Sequence, residues 1–192
     1  MKKRFTLLSL LLVCSLSVFA QNIFTAIKDN DVQGVKFLLK KDVNLNAKDE
    51  NGNTALIAAV KSNQERIVNL ILQSDVKVDT KDSEGNTAVM IAANQGNDAL
   101  LAMLLQYYPN TNTRNANGAT ALMMAVNNGS PNAVKSLLEH GANPKLKDKQ
   151  NKAAIDYAKE SNKQEMASLL DNTATVTASI KNTSGTYAIP FQ

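Results

Sequence analysis

Asp82-Ser83-Glu84-Gly85-Asn86-Thr87-Ala88-Val89-Met90-Ile91-Ala92-Ala93 decides the fold. An acid and a glycine three residues on make a turn, Gly85 supplying a positive φ. Thr87 stands where a hydroxyl can take an unpaired N–H at the start of a helix. The apolar, alanine-rich run 88–93 reads as that helix, its small residues allowing close packing. At a step of 33 the pattern returns on both sides, as Asp49, Gly52 and Thr54 and as Asn115, Gly118 and Thr120. One step further it returns weakened, as Asp148, Asn151 and Ala153.

Ala59, Ala92, Ala125 and Ala158 keep the same interval, as do Leu38-Leu39, Ile71-Leu72, Leu104-Leu105 and Leu137-Leu138. The last such pair, Leu169-Leu170, comes one residue early, which places a single deletion between Ala158 and Leu169. So many positions on one period signal a solenoid. Asn30, Asn63, Gly96, Gly129 and Asn162 tolerate the left-handed conformation and should end each first helix. Val35, Val68, Leu101 and Val134 precede the Leu-Leu pairs at helical spacing and mark a second helix. A helix pair this small cannot bury its own apolar face, so each unit needs neighbours.

On these residues the chain resembles the ankyrin repeat family, whose units read D-x-x-G-x-T-P-L-H-x-A-A, then G, then V-x-x-L-L-x-x-G-A. Segments 52–59, 85–93, 118–125 and 137–144 carry the match. The resemblance implies an all-α solenoid of five helix-turn-helix units with β-turn tips, bounded as 21–48, 49–81, 82–114, 115–147 and 148–172. The family proline is alanine at 55, 88, 121 and 154, and its histidine is Ile57, Met90, Met123 or Asp156. Apolar packing should therefore replace the histidine's hydrogen bonds. Asp42 and Asp75 stand where glycine is usual, and Tyr108-Pro109 replaces Gly-Ala. A residue before proline avoids helical angles, so the end of the third unit should be distorted.

Outside the repeats, Lys2-Lys3-Arg4 followed by the apolar run 5–19 and Ala20 has the layout of a cleaved secretory signal, residues 1–20. About fifteen apolar residues fall short of the ~20 of a spanning helix, so no transmembrane segment is expected after cleavage. Lipid attachment at Cys14 is the alternative, disfavoured by bulky Val13 before it and by apolar Leu16, Val18 and Phe19 after it. The expected location is the bacterial periplasm or the exterior. Residues 173–192 are expected to form a loose or strand-like tail.

Cys14 is the only cysteine, so the mature chain would have no disulfide and no cysteine site. Without Lys2, Lys3 and Arg4 the chain carries 18 basic against 17 acidic side chains, which gives no electrostatic reason to bind nucleic acid. His140 is the single histidine, at a variable surface position. Asp49, Asp82 and Asp148 could in principle serve as paired carboxylates, but each occupies the structural turn position. No catalytic, metal or cofactor site is expected, and the chain reads as no enzyme. Lys48, Lys81, Arg114 and Lys147 form a basic ladder beside those acids, read as charge compensation or, less favoured, as a face for an acidic partner.

The resemblance also implies a binding face of turn tips and first helices. By register it comprises Lys48, Glu50, Asn51, Asn53, Lys61 and Ser62, then Lys81, Ser83, Glu84, Asn86, Asn94 and Gln95. Arg114, Asn117, Asn127 and Asn128 follow, then Lys147, Lys149, Gln150 and Lys152. These are mostly amides and charges, suited to a polar protein surface. Likeness to small exported bacterial ankyrin proteins implies a protein partner, an exported enzyme held as by an inhibitor or immunity factor. Support of a periplasmic catalase and binding of peptidoglycan are the alternatives. The absence of tryptophan makes sugar stacking poor.

Overall fold

The computed structural model describes residues 22–171; the leader and tail expectations lie outside the described residues. These residues fall into two compact units, divided between Lys77 and Val78. Among them every regular element is a helix.

The first unit holds α1 (Ile23–Lys28), α2 (Val32–Leu39), α3 (Ala55–Lys61) and α4 (Glu65–Leu72). α1 packs on α3 and α2 on α4, so two helix pairs stack in parallel register. Ile27, Leu56, Ile57, Ile67 and Ile71 are fully buried between them. The second unit holds α5 (Ala88–Gln95), α6 (Asp98–Leu105), α7 (Ala121–Asn128), α8 (Pro131–Glu139), α9 (Ala154–Glu160) and α10 (164–171). There α7 lies against both α5 and α9, while α6 packs on α8. Met90, Leu100, Leu101, Leu104, Leu105, Leu122 and Met123 fill its core. Ile57, Met90 and Met123, which stand for the family's histidine, are all buried, so apolar packing does replace its hydrogen bonds.

The helix boundaries follow from the chemistry of the ends. Thr54, Thr87 and Thr120 accept the N–H of Ile57, Met90 and Met123 at 3.4 Å in each case. Asn22 does the same for Thr25 at 2.9 Å, a cap that the weaker first unit conceals in sequence. Asn30, Asn63, Gly96, Gly129 and Asn162 all have positive φ where the first helices stop. Ala153 has no hydroxyl to offer. Instead Asp156, in the histidine position, reaches back to accept the N–H of Ala153 at 2.8 Å.

The expected distortion at Tyr108-Pro109 is absent. Tyr108 takes φ 50, the left-handed angle of Asp42 (φ 56) and Gly141 (φ 81) at the same register, and Pro109 is buried. The repeat that departs is 49–81, in its part within the first unit. Asp75 is not left-handed, and the N–H of Val76 instead bonds the carbonyl of Ser74 at 2.9 Å.

Candidate functional site

The turns are built from one side chain each. Asp49 Oδ1 accepts the N–H of Asn51 at 2.9 Å and of Asn53 at 2.8 Å. Asp82 holds Glu84 and Asn86 at 3.0 and 2.8 Å, and Asp148 holds Gln150 and Lys152 at 2.8 and 3.0 Å. Asn115 serves Asn117 and Ala119 in the same way, at 3.0 and 2.9 Å. Only an acceptor is needed, which is why an amide can stand among the acids. Gly52, Gly85 and Gly118 close the turns at φ 75, 80 and 78, and Asn151 does so at 64.

Burial pushes the carboxyl of Asp49 up, but the Asn53 side chain, the Asn53 and Asn51 N–H groups and the Lys61 charge outweigh it, leaving it below its ordinary value. Asp148 follows the same logic. Burial is overcome by the Tyr157 hydroxyl, the N–H groups of Lys152 and Gln150 and the Lys152 charge. Tyr157 donates to Asp148 Oδ2, and that bond, with burial and the charges of Asp148 and Glu160, raises its phenol to about 12. These carboxylates are spent on turn geometry.

In the second unit the turns pair with one another. Ala116 N–H donates to the Glu84 carbonyl at 2.9 Å, and Lys149 N–H to that of Asn117 at 3.0 Å. The basic ladder belongs to this pairing. Lys81 Nζ donates to the carbonyl of Arg114 at 2.9 Å, and Arg114 Nη2 to that of Lys147, while Arg114 Nε holds Gly118 at 3.0 Å. Within the second unit, two members of the ladder read as charge compensation, Lys81 and Arg114, thus reach the backbone at the start of the following turn. The geometry brings Lys81, Arg114 and Lys147 into one row and pairs Glu84 with Ala116 and Asn117 with Lys149.

Two candidate residues do not face outward. Asn53 is 6% exposed and Asn86 9%, because the fifth residue of each turn folds under its tip. Asn53 Nδ2 donates to Asp49 Oδ2 at 2.9 Å, and its Oδ1 accepts Lys61 Nζ at 2.7 Å. Asn86 Oδ1 accepts Asn115 Nδ2 at 2.9 Å, and its Nδ2 reaches Glu84 at 3.1 Å. Both serve the frame. In the first unit Lys48, Glu50, Asn51, Lys61 and Ser62 are exposed.

In the second unit Lys81, Ser83, Glu84, Asn94, Gln95, Arg114, Asn117, Asn127, Asn128, Lys147, Lys149 and Gln150 are exposed. Asn128 spends its amide on the Asn94 carbonyl at 2.9 Å. Half-buried Lys152 pairs with Glu160 at 2.7 Å and lies 5.5 Å over the Tyr157 ring. Tyr157 carries no mark in the sequence, and Glu160 reads there as part of the solvated outer face of the last repeat; the eight-residue step from 152 to 160 repeats that from 53 to 61. A cleft of about 320 Å³ lies beside this end, lined by Pro144, Lys145, Lys147, Ala153, Ile155, Asp156, Leu170 and Asp171. Among the described residues no His, Cys, Asp and Glu groups cluster to hold a metal.

Hydrogen-bonded turns stacked at one period over paired helices are what the family comparison recovers. Ankyrin repeats match in three copies, over residues 7–82, 23–115 and 89–180, together most of the chain. The chain belongs to the ankyrin-repeat family. Ankyrin repeats are generally protein-interaction modules and a non-catalytic fold, so a protein is the class of partner this chain's repeats indicate. No curated protein matches the chain. No helix among the described residues is long and apolar enough to cross a membrane.

Proposed function

We propose that this ankyrin chain is exported and holds another exported protein through the turn-and-first-helix face, guarding the cell as an inhibitor or immunity factor. One observation carries the reading. The buried acids and amides satisfy the turns from within, which leaves Ser83, Asn94, Asn117, Asn127, Lys147, Lys149 and Gln150 exposed. Amides that both donate and accept suit the polar patches of a folded protein. The cationic start and apolar run before Ala20 support export.

Photoreactive benzophenone side chains placed singly at Asn94, Asn117 and Asn127 test it in the producing cell. The reading expects one product of constant mass from all three positions, and toxicity of the captured protein that this chain relieves. Absence of any intermolecular product from those positions would sink it.

A further inference from the structure

Six residues other than glycine take left-handed backbone angles among the described residues. Five are Asn or Asp: Asn30, Asp42, Asn63, Asn151 and Asn162. The sixth is Tyr108. Short polar side chains tolerate this region, whereas a bulky residue there is an outlier. The same register position holds Asp42 and Gly141, so the turn asks for a small residue and gains nothing from a ring.

Nor does packing offset the strain. Tyr108 is 88% exposed, and its N–H alone is used, donating to the Leu105 carbonyl at 3.1 Å. Its hydroxyl makes no hydrogen bond among the described residues. The loop is held by others: Pro109 and Thr111 are buried, Thr111 Oγ1 donates to the His140 carbonyl at 3.3 Å, and Asn112 Nδ2 to that of Gly141 at 3.0 Å. A lone exposed aromatic needs no explanation, but one that also strains the backbone points to a function. Tyr107 beside it is 37% exposed, and the whole chain has four tyrosines and no tryptophan.

We infer that Tyr108, flanked by Tyr107, is an anchor that inserts into an apolar hollow on the partner protein, at the end of α6 and apart from the turn tips. Tyrosine suits this task because its large rigid ring is immobilised at small entropic cost while its hydroxyl finds a polar rim. The inference rests on the protein-binding reading and adds a second contact to it.

The decisive variant is Tyr108→Asn, which keeps the left-handed angle with a residue suited to it. Strain relief should raise the melting temperature of the purified chain by about 2–4 °C, while cross-linking of the partner from position 94 falls roughly tenfold or more, as for a hot-spot residue. A benzophenone at 108 should itself give the product seen from 94. A lowered melting temperature would show the ring to be structural and overturn the proposal, as would unchanged capture or a product at 108 that is only intramolecular. Products at 94, 117 and 127 with none at 108 sink this contact and leave the turn face standing; a product at 108 alone sinks the turn face.

Discussion

Gly85→Ala and Gly141→Ala are the same substitution at the same backbone angle, φ 80 and 81, in different surroundings. Alanine in the left-handed region costs about 1–2 kcal/mol, offset by about 0.4–1 kcal/mol because alanine stiffens the unfolded chain. A Cβ at 141 meets nothing within 4 Å, so Gly141→Ala should cost only that remainder, about 0–1.6 kcal/mol. At 85 the new carbon would lie 2.8 Å from Ala116 N and 3.2 Å from the Asn115 backbone. Backbone cannot rotate aside, so the adjacent turn must move. That adds an overpacking cost of about 1–3 kcal/mol and weakens the 2.9 Å bond from Ala116 N–H to the Glu84 carbonyl, worth about 1 kcal/mol. The total is about 2–6 kcal/mol. Urea unfolding followed by far-ultraviolet circular dichroism measures both variants on one scale. Equal losses for the two would refute the claim that adjacent turns approach each other over glycine.

Thr87→Ala should cost about 1 kcal/mol by removing the cap of α5, whereas Ala153→Ser should gain about 0.5–1 kcal/mol by supplying one that α9 lacks; thermal melts show both. Asp148 titrates below its ordinary 3.8 in the fold, so its contribution is complete above that value and lost as pH falls through the lower folded value. Asp148→Asn, which copies the native Asn115, should therefore flatten the decline in stability below about pH 4 without disturbing the turn. Tyr157, raised to about 12, should be missing from the ordinary phenol titration near 10, and the difference in 295 nm absorbance between wild type and Tyr157→Phe should centre near 12.

The repeat was legible because its parts are local. A turn acid, a glycine three residues on and a threonine cap each fulfil a backbone requirement within a few residues, and Asn30, Asn63 and Asn162 could be read as helix ends for the same reason. What escaped depends on the neighbouring unit or on the far side of a turn. Asn53 and Asn86 look like exposed tip residues until the turn folds them under, and the ladder from Lys81 through Arg114 meets carbonyls 33 residues away that no local pattern marks. In sequence Asp156 marks only the loss of a histidine; its role as acceptor for Ala153 depends on the missing threonine before it. The proline rule misjudged Tyr108 because it speaks against right-handed helical angles, and Tyr108 is left-handed. The candidate face was legible only by register, and register alone cannot tell a free amide such as Asn94 from an engaged one such as Asn128.

Scalar couplings transmitted through hydrogen bonds, measured by NMR between the carbonyl carbon of Glu84 and the nitrogen of Ala116, and between those of Asn117 and Lys149, interrogate the stacking of turns without intermediaries. Both cross-peaks should be present, with those two amides exchanging slowly against solvent. Missing couplings together with freely exchanging amides at 116 and 149 would mean that successive turns do not lie side by side, and the shared face built on them would go too.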